Sequence, residues 1–367
     1  MAEKVGDASR WIAGVKPPDD VRALSMTAIF EKECREQPER LVVLLRSYAE
    51  HEGIRQELHG VQALRQSPGP VLFLGMGASL CSSITGALLL QSSGRSSFFV
   101  DAGEWLHYGL PAWDDVAASV LVTTSGESAE LVQLCKHHPH KPVALICNNE
   151  QSTCWGLTKL RLPILAGPEY GNATKTYTNA TAAGIVLACE LLGRPWQTDG
   201  CKVLSCYSRV LDRVFDLRRE LRAFCAGTAS IELVGRGPCV GSAFMGALCI
   251  REMAAHRSTG HTGAGFRHGP LLDVDESHVS IIFALGRAAD LGVKLAEDCI
   301  ARGGKVVLVS TEEHNPTPKL LPVRIEAVPE PWESLTSILV PQALTLAMIE
   351  EGGANLKPRF EYGTMYE

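Results

Sequence analysis

The segments FLGMGASLCSSITGALLL at 73–90 and LVGRGPCVGSAFMGALCI at 233–250 carry one message twice. Each passes from an apolar, β-prone stretch through a glycine turn, Gly75-Met76-Gly77 or Gly235-Arg236-Gly237, into a small-residue helix start that reaches Gly-Ala-Leu. A strand that hands over to a helix across two glycines is the opening unit of a doubly wound α/β domain. Its recurrence predicts that the domain is duplicated within the chain.

Outward from these turns the same rhythm continues. After the first come SFFVD, VLVTT, helix AELVQLC, VALICN, LPILA and helix KTYTNATAAGIVLACELL. After the second come VSIIFAL, helix AADLGVKLAEDCIA, KVVLVS, LPVRIEAV and a last helix near SLTSILVPQALTLAMIEE. Short apolar runs alternating with helical patterns predict parallel sheets covered by helices on both faces. The expected fold is therefore α/β, with two tandem doubly wound, flavodoxin-like parallel-sheet domains. The expected divisions are an N-terminal helical segment at 1–50, a first domain at 51–195, a linker helix at 196–225, a second domain at 226–350 and a tail at 351–367. Within the N-terminal segment, Pro38 interrupts the amphipathic stretch from Met26 to Tyr48, which reads as two helices or a kinked one.

Composition narrows the function classes. The 367 residues are 46% hydrophobic and 21% charged, as in a folded soluble chain, and the net charge is -6. With no basic tract of five or more residues, a nucleic-acid partner is not expected. No apolar run reaches the 18 residues a membrane span needs, and the N-terminus has no signal or transit pattern, so the expected location is cytoplasmic. The twelve cysteines lie mostly in apolar runs without a C-x-x-C pair, which reads as buried free thiols. His137, His138 and His140 read as a solvated turn after a helix rather than a metal site. No metal or organic cofactor is implied.

The stretch VTTSGESAEL at 122–131 crowds Thr123, Thr124, Ser125 and Ser128 onto one strand-to-helix turn. Capping would use one hydroxyl. Four around a glycine also suit an anion site, where hydroxyls and backbone donors converge on a phosphate. In a doubly wound sheet this loop and Ser79 would follow neighbouring strands and meet at one edge. A dinucleotide is the rival ligand, with Asp101 placed as a ribose acid. Against it, the first turn lacks the third glycine of the fingerprint, and no acid or Arg follows the second turn's next strand in the right place.

Together these pieces resemble the sugar isomerase (SIS) domain family, with the two-domain plan of the isomerase half of glucosamine-6-phosphate synthases. TTSGES is similar to the family's S-x-S-G-E-[ST] phosphate loop. EQPERL, GMGAS, ATKTYTNATAA, GRG with GALCIREM, FRHGPL and a closing PRF follow in family order over about residues 26 to 367. The resemblance implies a phosphosugar substrate, with phosphate on Ser79, Thr123, Thr124, Ser125 and Ser128 and further contacts from Gly77, Ala78, Lys175, Arg251, Lys357 and Tyr362. It implies that Glu252 is the base moving a proton between C1 and C2, and that His268 opens the sugar ring across the interface of a homodimer.

Two family lysines are absent. One is replaced by Cys249, and no lysine follows Lys357 to form an imine. If the tail covers the site, Tyr362, Glu361 or Lys357 substitutes there, or no imine to the enzyme forms. A substrate that already carries nitrogen removes the need for one, which leans toward a deaminase or deglycase of amino-sugar phosphates, with a plain isomerase close behind. With about 25 residues before the first matched segment, no glutamine-cleaving activity is expected. The alternative is a non-catalytic phosphosugar sensor.

Overall fold

The computed structural model describes residues 18, 21, 23–137 and 143–352. Two five-stranded, fully parallel sheets organise them. The first comprises β1 (Val71–Gly75), β2 (Ser97–Asp101), β3 (Ala118–Thr123), β4 (Val143–Cys147) and β5 (Leu160–Pro163), ordered β2-β1-β3-β4-β5. The second comprises β6 (Ser230–Gly235), β7 (Ser258–Thr262), β8 (His278–Ala284), β9 (Lys305–Ser310) and β10 (Leu320–Arg324). Their order, β7-β6-β8-β9-β10, repeats that of the first sheet. The duplication read from the glycine turns thus extends to the whole strand order. In each sheet the order reverses beside the first strand, and this opens a crevice at the carboxyl ends of the strands.

Burial on both faces explains why β1 and β3 read as unbroken apolar runs; every residue in them is buried. β7 lacked that signal. It reads STGHT, pairs with β6 alone at the sheet edge, and has no large apolar side chain to announce it.

Among the described residues the ten longer helices are α1 (Met26–Glu50), α2 (Glu52–Gln62), α3 (Ala78–Ser92), α4 (Ala129–His137), α5 (Lys175–Leu192), α6 (Gln197–Asp216), α7 (Arg218–Phe224), α8 (Cys239–Ala254), α9 (Ala289–Ala301) and α10 (Leu339–Gly352). A central core, with Phe73 from the first sheet, Leu233 from the second, and Tyr177 of α5, Ala243 of α8 and Leu344 of α10, joins the halves. Two smaller cores fill the outer faces of the sheets. All twelve cysteines are free and only Cys201 is exposed. Among the described residues no helix is long and apolar enough to cross a membrane.

Pro38 does not divide α1, which runs unbroken from Met26 to Glu50, so the two-helix alternative of the sequence reading does not hold. A proline cannot donate to the carbonyl four residues back, here that of Cys34. The Gln37 side chain supplies the missing donor: its Nε2 gives hydrogen bonds of 2.9 Å to Cys34 O and 2.9 Å to Gln342 Oε1 on α10. Its Oε1 accepts from Thr178 Oγ1 at 2.6 Å and Tyr207 Oη at 3.2 Å. One fully buried amide therefore ties α1 to α5, α6 and α10. Gln37→Leu leaves these groups unpaired at about 1–3 kcal/mol each, so a loss of about 3 kcal/mol or more is expected in urea unfolding.

Candidate active site

Because β1 and β3 are parallel neighbours, the loops leaving their carboxyl ends emerge side by side at the crevice of the first sheet. The loop after β1 starts α3 at Ala78, with Gly77 exposed and Ala78 and Ser79 half-buried at the mouth. The loop after β3 holds the four hydroxyls. Thr123 Oγ1 accepts from Gly126 N at 3.0 Å, and Ser125 Oγ accepts from Glu127 N at 3.2 Å. Two hydroxyls thus shape the turn, while Thr124 and Ser128 stand half-buried beside them.

A neighbouring turn fixes that loop from behind. Glu127 Oε1 accepts from Thr153 N at 2.9 Å, and Gly126 O accepts from Cys154 N at 3.1 Å. Gly126 adopts φ 67°, and a Cβ there would lie 2.1 Å from Ser152 Oγ. Gly126→Ala is accordingly expected to cost about 1–3 kcal/mol in thermal unfolding.

The second half reaches this crevice through α8. At Gly241 a Cβ would lie 2.7 Å from Cys81 O, so glycine allows α8 to close on α3, and Thr85 Oγ1 donates to Pro238 O at 3.2 Å. Advancing along α3 from Cys81 to Thr85 moves backward along α8, so the two helices are antiparallel. From Gly241 to Glu252, α8 rises roughly 16 Å, well past the first turn of α3. Glu252 comes to rest against the loop after β5, where Asn172 Nδ2 donates to its Oε2. Surrounding protein raises the Glu252 carboxyl above its ordinary value, and the Asn172 hydrogen bond works in the opposite direction. One edge of the first sheet therefore gathers two hydroxyl-bearing turns and a carboxylate delivered by the other half of the chain.

Residues 64–189 match the family model of the SIS domain. The curated relatives agree: glutamine--fructose-6-phosphate aminotransferase [isomerizing] of Bartonella henselae is 26% identical over 257 residues, which is 66% of this chain and 42% of the relative. The chain thus spans about half the length of the curated relatives it matches. Among solved structures, the C-terminal domain of glucosamine-fructose-6-phosphate aminotransferase from Francisella tularensis aligns with a TM-score of 0.75 at 19% identity, covering 88% of this chain and 96% of that one. Glucosamine-6-phosphate deaminase from Thermotoga maritima aligns at 0.68 and 18%, covering 89% and 96%.

Several of the expected site residues have other occupations. Lys175 is buried and pairs with Glu36 of α1. Arg251 turns to β7, donating to Ser258 O and, at 3.4 Å, to Thr259 Oγ1, so it does not pair with the adjacent Glu252. Cys249, at the family lysine position, is fully buried and its thiol is pushed up to about 12 by burial. Asp101 caps the turn after β2, accepting from Gly103 N and Glu104 N, which accounts for it without a ribose. His137 closes α4. His138, His140, Lys357, Glu361 and Tyr362 lie outside the described residues.

His268 is exposed in the turn after β7, at the carboxyl edge of the second sheet. α8 begins at that edge and runs back, so Glu252 near its end lies toward the opposite edge. Within one chain the two groups are separated by most of the length of α8, roughly 20 Å.

Sequence reading missed the support behind Glu252. Asn172 sits just before the quoted ATKTYTNATAA stretch and is 5% exposed. Its loop is held by Glu33 of α1, whose carboxylate accepts from Tyr170 N and Gly171 N, and by Glu169, which accepts from the Thr174 and Thr176 amides and hydroxyls. Burial pushes both carboxyls up. The loop lacks periodicity, so its acids gave no signal.

Proposed function

We propose that the protein is a phosphosugar-processing enzyme that moves a proton between C1 and C2 of an open-chain sugar or amino-sugar 6-phosphate. The observation that supports the reading is the hydrogen bond from Asn172 Nδ2 to Glu252, which sets a carboxylate from the second half of the chain against the loop after β5, on the edge of the first sheet from which the Ser79 and Thr123–Ser128 turns also leave. A 6-phosphate bound by those turns at the start of α3 directs the sugar chain past the helix end, toward a carboxylate held by Asn172. A general base is most effective when its pKa lies near the working pH, and crowding moves Glu252 in that direction. In this reading His268 opens the ring from a second copy of the chain, because its own chain holds it at the far edge of the second sheet.

Deamination or deglycation of a sugar–amine phosphate fits better than imine chemistry on the enzyme. The family's helix lysine is Cys249 here, and Lys175, next to the site loop, is committed to Glu36. A substrate amine provides the nitrogen instead. The test is proton exchange at C1 and C2 in heavy water, followed by NMR, with fructose 6-phosphate, glucosamine 6-phosphate and a fructosamine 6-phosphate. Exchange with a nitrogen-bearing substrate is expected. Tight binding of all three with no exchange would replace the enzyme reading with that of a phosphosugar sensor.

A further inference from the structure

The duplication gives the second sheet its own crevice, and the side chains there are not those of a vestige. A cleft of about 400 Å³ opens at its carboxyl edge, lined by Ser92, Arg236, Gly237, Arg287, Glu330 and Glu333. The alignment that matches 73–90 with 233–250 sets Ser92 opposite Glu252 and Arg236 opposite Met76. α3 and α8 therefore exchange roles between the two crevices. Each begins at one and ends at the other.

Arg236 is half-buried at the start of the sixteen-residue α8, its Nε is shielded from solvent and unpartnered, and among the described residues no acid pairs with it. Its neighbour in charge is another cation, Arg267, which is itself matched by Asp298 at 2.5 Å. Glu333 is 5% exposed and its Oε2 has no partner. Glu330 is already neutralised by Arg287, whose Nη2 and Nε donate at 2.6 and 3.1 Å. Burial pushes the Glu333 carboxyl up to about 8, toward the neutral form, which can both donate and accept. Among the described residues of the cleft, Arg236 is the cation without an acid partner, and its guanidinium is suited to bidentate contact with a phosphate.

The geometry points to a second small-molecule site in this cleft, for a phosphorylated polyol whose phosphate lies on Arg236 and whose hydroxyls bond to the Glu333 carboxyl. It is independent of the chemistry proposed for Glu252. A ligand here touches the start of α8 and the end of α3, the two helices that frame the first crevice.

Equilibrium dialysis with sorbitol 6-phosphate, which has no carbonyl to turn over, tests the proposal, with inorganic phosphate and sorbitol run in parallel. Two molecules should bind per chain. Arg236→Ala should weaken one of them about tenfold, the worth of a lost charged hydrogen bond, and Glu333→Leu should weaken the same one. Thr124→Val with Ser125→Ala should affect only the other. One molecule per chain, insensitive to Arg236→Ala and Glu333→Leu, overturns the second site and leaves the first-crevice reading standing. Inorganic phosphate binding at the Arg236 site as tightly as sorbitol 6-phosphate overturns the polyol assignment. Loss of the hydroxyl-loop site alone, with the Arg236 site intact, would count against the proposed function and not against this inference.

Discussion

Glu252→Gln is expected to slow C1/C2 proton transfer roughly 10²- to 10⁴-fold, the usual worth of a positioned general base. The amide nearly matches the carboxylate in size, but it cannot take a proton. Phosphosugar affinity should change little, because the hydroxyl turns proposed to hold the phosphate belong to the other half of the chain. A fall in kcat with KM nearly constant is the signature to look for. The pH profile gives a second reading. The base must be ionised, and crowding raises its pKa, so activity should fall as pH drops through a value above the ordinary carboxylate range. Asn172 stabilises the ionised form through its hydrogen bond. Asn172→Ala should therefore move the acid limb to higher pH, whereas a purely structural role for Asn172 would lower the plateau without moving the limb.

Mixing two inactive variants is expected to restore activity. If His268 serves the Glu252 of another copy, Glu252→Gln and His268→Ala homodimers each lack a working site. Subunit exchange creates mixed dimers in which one site carries both defects and the other carries none. Half of the dimers are then mixed, with one good site each, and roughly a quarter of the wild-type sites return. Activity that stays at the sum of the two variants would place His268 outside the reaction, because its own chain holds it some 20 Å of helix away.

The sequence made the scaffold legible because the scaffold is built from repeated apolar periodicity. The two glycine turns, the unbroken runs of β1, β3, β8 and β9, and the hydroxyls at 123–128 all announce themselves locally. β7 did not, since an edge strand of small and polar residues buries too little to leave a pattern. That α1 would run undivided through Pro38 was not legible, because the compensating donor comes from the neighbouring Gln37 side chain, a relation that depends on three-dimensional placement. The site was partly legible. Residue type and order singled out Ser79 and the hydroxyl turn, and the family resemblance added Glu252 and His268, but Asn172, Glu33 and Glu169 belong to or hold a loop whose value appears only once α1 and α8 converge on it. Lys175 and Arg251 show the converse: a charged residue beside a motif can be fully occupied by the fold, here by Glu36 and by β7.

A crystal structure with bound sorbitol 6-phosphate tests most directly whether the first crevice is the phosphosugar site. The account predicts the phosphate within hydrogen-bonding reach of the Ser79, Thr124, Ser125 and Ser128 hydroxyls, with C1 and C2 facing Glu252. A ligand absent from that crevice, or lying there with C1 and C2 turned away from Glu252, would contradict it.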